Sequence, residues 1–280
     1  MSKSLKDMVE EQMQSGELEL PVFNQVALDL QRMKNEDDVQ LNQIIVAIMT
    51  DPALAAQILK VANSSFYGGL KEVSTIQQAV IRLGLEQVAN IALMSAQAAA
   101  HDAQLKTLKD RMPDLWEHAY VSALGARWLA REAGLRDRAE EAFLAGLLHD
   151  VGELVLLKIL DAHASDADTP PLTDALINEA LEALHPELGH RLMTSWELPG
   201  IYADVARNHH QSTMGEPDAL QAIVRLVDGG CAKVGIGRNA DEQLALPTLP
   251  EADVLDLSEI QLAEFEVVLE DVRSQAATLF

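Results

Sequence analysis

The run AFLAGLLHDVGELVLL, residues 142–157, decides how the chain is read. Apolar side chains fill it almost without interruption, as in a helix buried on all sides. His149 and Asp150 interrupt it. Neighbours on a helix point about 100° apart, so both reach one ion only if it sits over the groove between them. Imidazole with carboxylate suits Fe, Mn or Zn. Unpaired, either group is costly to bury. Gly146 and Gly152 flank the pair, where a close approach or a bend is expected. The dipeptide alone is weak evidence, and its weight comes from the rest of the chain.

The 280 residues are 48% hydrophobic, enough for a sizeable core. Aromatics are only 4% while Ala and Leu recur, which favours helices over a β-sandwich. The single cysteine, Cys231, excludes an intrachain disulfide and fits a reducing compartment. No apolar run reaches the length of a membrane span; the longest, around 89–100, is broken by Asn90, Ser95 and Gln97. The opening MSKSLKDMVEEQMQ has no apolar signal core. A cytoplasmic protein without membrane association is the expectation.

Lys and Arg total 21 against 44 Asp and Glu, a formal charge of −23. Such a field repels nucleic acid, so no nucleic-acid partner is expected. A nucleotide still binds where a metal ion supplies the positive charge.

The periodicity predicts an all-α chain with an N-terminal helical lobe over 1–110, a second helical lobe over 111–236, and a loop with a last helix over 237–280. Asp51-Pro52 starts a helix as N-cap and first-turn proline. Ser74 to Gln77 reads as a capping box, Gly84 as a break, and Asn63–Gly69 as turn material. In the second lobe helices are expected over 116–130, 140–150, 175–184, 186–196, 201–209 and 219–234, with 161–173 a polar linker. Ser258 and Gln261 cap a final helix carrying Leu262, Phe265, Leu269 and Val272 on one face. That face is expected to pack on its own domain, with a homodimer contact as the alternative.

Further metal-compatible groups recur on or beside the apolar stripes of this lobe. His118 lies in LWEHA (115–119), His185 opens HPELGH, His209 and His210 end ARNHH (206–210), and Asp228 interrupts AIVRLVDGGCA (222–232). Each alone reads as a satisfied structural residue. Together they are harder to explain, because a helical core seldom admits so many ionisable groups without an ion or a network.

The order H…HD…H…HH…D resembles the HD superfamily of metal-dependent phosphohydrolases, and most closely its HDOD branch. LPVFNQVALDL (20–30), DPALAAQILKVANSSFYG (51–68), STIQQAVIRLGLEQVANIAL (74–93) and HPELGHRLMTSWELP (185–199) carry the branch resemblance, which covers about residues 18–235. It implies an N-terminal helical lobe packed on an HD-type lobe, and a place in bacterial signal transduction. It further implies that His118, His149, Asp150 and Asp228 hold a first divalent metal, whether Fe, Mn, Zn or Ni. His185, His209 and His210 match positions for a second metal or its phosphate in the cyclic di-GMP phosphodiesterase branch. Asp114 falls where that branch has a carboxylate.

Two departures bear on activity. The phosphodiesterase branch has a lysine where this chain has Glu153, and its Gly-Tyr-Pro signature after the histidine pair is replaced by HHQSTMGEP (209–217). Glu153 reads either as a solvated residue at a helix turn or as a carboxylate that repels an anionic substrate. Two functions follow. The first is a regulatory domain, weakly active or inactive as an enzyme, that relays a signal to a protein partner. The second is a metal-dependent phosphohydrolase acting on a nucleotide or other phosphoester. His190, His101 and His163 match no ligand position and are expected at the surface, while Trp116 and Trp196 are expected in the core.

Overall fold

The computed structural model describes residues 9, 25–36, 38–64, 73–101, 105–164, 172–211 and 218–279. Most of the turn expected at 63–69, part of the 161–173 linker and most of the segment after His210 lie outside them. The regular secondary structure among the described residues is entirely helical, with no β-strand. No single helix among them is long and apolar enough to cross a membrane. The chain divides into two compact units, one of residues 22–100 and one containing 101–280.

The first unit holds α1 (Gln25–Met33), α2 (Leu41–Met49), α3 (Pro52–Ala62), α4 (Ile76–Leu83) and α5 (Leu85–Ala100). Asp51 caps α3, accepting the Leu54 amide at 3.0 Å, and Pro52 begins the helix where a missing N–H costs nothing. At α4 the cap is Thr75 rather than Ser74: its hydroxyl accepts from the Gln78 amide at 3.2 Å, and the Gln78 side chain accepts from the Ser74 amide at 3.1 Å. Gly84, at φ +80°, turns α4 into α5. Leu30, Ile48, Ile58, Val88 and Leu93 are fully buried in this unit. One polar contact sits among them, Gln31 donating to Asn90 at 3.2 Å between α1 and α5.

The second unit holds α6 (Met112–Glu132), α7 (Ala139–Leu148), α8 (Val151–His163), α9 (Asp174–Ser195), α10 (Gly200–Asn208), α11 (Ala219–Lys233) and α12 (Glu259–Leu279). α6 is its axis, packed against α7, α11 and α12. The expected face of α12 is the buried one: Leu262, Phe265, Leu269 and Val272 all pack inward. Phe265 stacks on Trp128 of α6 with ring centroids 5.7 Å apart. Ser258 and Gln261 cap α12 reciprocally, at 3.0 and 3.4 Å. Trp116 and Trp196 are buried, as expected.

Two local expectations are corrected. His149 and Asp150 do not lie within one helix: His149 is the C-cap of α7 and Asp150 the N-cap of α8, with φ −102° and ψ 13° at Asp150. The separation imposed on their side chains is therefore that of a bend, not of successive positions on a helix. The break expected at His185-Pro186 is absent, and α9 runs through Pro186. Proline there forfeits one helical hydrogen bond, and packing overrides the loss. Gly152 of α8 lies so close to α9 that a Cβ on it would fall 1.9 Å from the His185 carbonyl oxygen and 2.7 Å from the Gly189 nitrogen.

Candidate metal centre

Glycine contacts bring together the helix segments that carry His118, His149, Asp150 and His185. A Cβ on Gly146 of α7 would stand 2.5 Å from the Ser122 carbonyl of α6. That approach brings the end of α7 beside α6, one turn from Ser122, where His118 meets His149. The Gly152 contact does the same for α8 and α9, carrying Asp150 to His185. His209 is the C-cap of α10, and α11 contributes Asp228.

The predicted ligands converge. Donor atoms of His118, His149 and Asp228 lie within 4.8 Å of one another, as do those of Asp150, His185, His209 and His210. Asp150 stands between the two groups. Its Oδ2 is 3.3 Å from His118 Nε2 and 3.4 Å from His149 Nε2. Its Oδ1 is 3.1 Å from His209 Nε2 and 3.4 Å from His185 Nε2. Asp228 is 3.6 Å from His118 and 4.0 Å from His210. His118, His149, His185 and His209 are buried, while His210 and Asp228 remain partly open to solvent. Asp114 lines the same cavity but is exposed and belongs to neither group.

Backbone carbonyls orient three of the rings. His149 Nδ1 donates to Gly146 at 2.9 Å, His185 Nδ1 to Leu181 at 2.6 Å and His209 Nδ1 to Ala206 at 2.7 Å. Each bond turns Nε2 inward, the orientation of a metal-ligating imidazole held by its other nitrogen. His149 and His185, neutral with the proton on Nδ1, therefore accept at Nε2 from His118 at 3.2 Å and His209 at 3.3 Å.

Protonation follows the same division. Burial pushes His149 down to about 4, with Asp150 opposing and His209 and His118 reinforcing the shift. Burial likewise takes His185 to about 4 against the pull of Asp150. Burial also disfavours a charge on His118, yet Asp150 and then Cys231 hold its pKa well above the ordinary value. His209 is raised as well, burial being outweighed by Asp150 and Asp228. Burial opposes ionisation of Asp150, but His149, His118 and His209 hold it well below the carboxylate range. In each buried histidine pair, burial thus disfavours a charge on one ring while Asp150 favours it on the other. The residues fit a divalent ion in each group: nitrogen and oxygen donors, inward Nε2 atoms, and positions where cationic charge is already stabilised.

Glu153 is not the solvated residue that a helix turn suggests. It is buried in the first turn of α8, and Arg238 donates to its carboxylate. Burial raises it to about 7, Asp150 adds to the rise, and Arg238 opposes it. Arg238 and Arg111, not singled out from the sequence, line the cavity with Asp114, His118, Asp150, Glu153, His210 and Asp228. A signal was present for the first. Gly235 and Gly237 take positive φ, +72° and +88°, in the run GIGR that follows the Asp228 helix. That turn lays Gly237 on the His118 ring, where a Cβ would be 3.0 Å from Nδ1.

The remaining histidines stand apart from both groups. His101, His163 and His190 are half-buried rather than fully exposed. His101 meets the edge of Trp116 at 5.6 Å, and His163 Nδ1 donates to Ile159 at 2.8 Å. Cys231 is buried, 3.7 Å from the Ser122 hydroxyl.

Comparison with known proteins agrees with this architecture. The HDOD domain profile matches residues 20–212. An uncharacterised protein of Treponema pallidum is 30% identical over 200 residues, 69% of this chain and 38% of that protein, so the chain spans under half of that relative's length. An HDOD domain protein of unknown function from Geobacter sulfurreducens superposes with a TM-score of 0.76 at 24% identity, covering 98% of this chain and 97% of the other. A candidate signal transduction protein from Marinobacter aquaeolei VT8 gives 0.68 at 25% identity, over 99% of this chain and 61% of the other. A candidate metal-dependent phosphohydrolase from Shewanella amazonensis SB2B gives 0.72 at 20% identity, over 95% and 96% of the two chains. With the profile spanning more than half of its residues and a solved member sharing its fold, this chain belongs to the HDOD domain family.

Proposed function

We propose that this chain is a signal-transduction HDOD protein whose His-Asp cluster holds a pair of divalent ions and binds a phosphoester or nucleotide at them. One observation carries the reading: Asp150 turns one oxygen to each of two separate donor groups. A cluster built only for stability would be better served by apolar residues of similar volume. His118, His149 and Asp228 would hold one ion, and Asp150, His185, His209 and His210 the other; Fe, Mn, Zn and Ni all suit this mixture. When bound, such ions supply Lewis acidity toward a phosphoryl oxygen and toward water. The chain's own contribution is to orient the imidazoles through carbonyls and to fix Asp150 between them.

Regulation is the primary role in this reading, with the protein partner engaged outside the cavity. The Marinobacter relative's name as a candidate signal transduction protein supports it, as does the absence of the phosphodiesterase branch's lysine at position 153. Phosphoester hydrolysis is the second reading, favoured by the full set of donors and by a cavity that reaches them. Mn- or Fe-loaded protein assayed on phosphodiester and nucleotide substrates decides between the two. Binding without turnover is expected. Turnover that His149→Ala and Asp150→Ala each abolish would replace the regulatory role with the enzymatic one.

A further inference from the structure

The cavity over the metal centre contains two guanidinium groups, and they are not equivalent. Arg111 is committed to α9, donating to Asp174 at 2.6 Å and Asn178 at 2.7 Å. Arg238 comes from the loop after α11, 85 residues downstream of the carboxylate it meets. Its Nη2 donates to Glu153 Oε1, and a guanidinium has further N–H donors in a fixed planar fork. Both residues of the pair line the same cavity as Asp150 and His210.

Glu153 is held just as firmly. Its backbone amide bonds the Asp150 carbonyl at 2.9 Å, so its position is tied to the residue between the two donor groups. A buried carboxylate beside an anion site would be unfavourable alone. With Arg238 fixed against it, the carboxylate becomes a hinge pin for a cation.

We infer that Arg238 is the anion-binding group of this site, taking a phosphoryl group of the ligand, and that Glu153 is the positioning residue that aims it. The inference rests on the proposed metal centre and names the group that recognises its ligand. The positive charge missing at position 153 is supplied from position 238, across the fold. The two glycines of GIGR serve this placement, since their positive φ brings the loop back over His118.

The sign of one substitution separates this arrangement from simple repulsion. A carboxylate that merely repels an anion gives tighter binding when neutralised. A carboxylate that aims Arg238 gives weaker binding. The test is calorimetric titration of Mn-loaded protein with inorganic phosphate, with the metal content of every variant measured in parallel. Arg238→Gln is expected to weaken phosphate binding about tenfold or more, the size of one lost charge-assisted hydrogen bond. Arg238→Lys should recover part of the loss, and Glu153→Gln should weaken binding in the wild-type background while adding no loss beside Arg238→Gln. The Glu153→Gln/Arg238→Gln double variant leaves no isolated buried charge; it should keep wild-type melting and metal content while losing phosphate affinity. Tighter binding in Glu153→Gln, unchanged binding in Arg238→Gln, or metal-loaded wild type that ignores phosphate would overturn the inference and leave the metal centre standing. Wild-type protein that takes up no metal would overturn both.

Discussion

Nε2 of His209 lies 3.1 Å from Oδ1 of Asp150, and this contact ties the histidine that ends α10 to the carboxylate that starts α8. The other Asp150 oxygen makes the matching approach to His118 on α6, at 3.3 Å. One carboxylate thus joins three helices and stabilises a proton on each side of itself. Asp150→Asn keeps the shape and removes the charge. In chelator-treated protein, the NMR titrations of His118 and His209 should both move down in pH. Titrations that stay where they are would show that something other than Asp150 holds those protons.

Metal loading should release protons. His118 and His209 have raised pKa values, so a divalent ion competes with a proton in each group. Apparent affinity for Mn should therefore rise with pH, and the release should fade as pH passes through the raised values. Calorimetry in two buffers of different ionisation enthalpy reads the protons directly. Identical heats in both buffers at pH 7 would contradict this division of charge.

The metal-free fold should weaken as pH falls from about 6.5 toward 4. His149 and His185 titrate near 4 when folded and near 6.5 when unfolded, so in this window the unfolded chain binds two more protons there. Such depressed values give stability that is present above 6.5 and lost on acidification. Glu153, raised to about 7, opposes with one proton, while His118 and His209 stay protonated in both states and add little. The net slope is on the order of 1 kcal/mol per pH unit. Urea unfolding of chelated protein at pH 6 and pH 5 measures it, and greater stability at pH 5 would show the wrong sign.

Gly152→Ala should damage the fold and the centre together. Its Cβ would overlap the backbone of α9 at His185, and overpacking against backbone costs about 3 kcal/mol. Gly200, with nothing within 4 Å of its would-be Cβ, is the control; Gly200→Ala should stay within about 0.5 kcal/mol. Thermal melts of both variants check this, and a Gly152→Ala protein with unchanged melting temperature would show that α8 and α9 can separate at no cost.

The helices and the membership of the cluster were legible because both are written in residue type. Apolar periodicity marks α12 through Leu262, Phe265, Leu269 and Val272, and a histidine on an apolar stripe is conspicuous wherever it lies. What stayed hidden depends on close packing. The bend at His149-Asp150 and the passage of α9 through Pro186 coincide with close glycine approaches of α7 to α6 and α8 to α9. Local propensity does not encode such contacts. Glu153 was misleading for a related reason: its partner Arg238 is 85 residues away, and a single sequence does not reveal that pairing.

Metal content bears most directly on the centre itself. Protein purified without chelator, and the same protein after incubation with Mn, Fe, Zn or Ni, should be analysed beside Asp150→Ala. The wild type should carry about two divalent ions per chain, one for each donor group, and Asp150→Ala should lose both while remaining helical. Wild-type protein that stays metal-free under every loading condition, and unfolds no more easily after chelation, would contradict the metal centre.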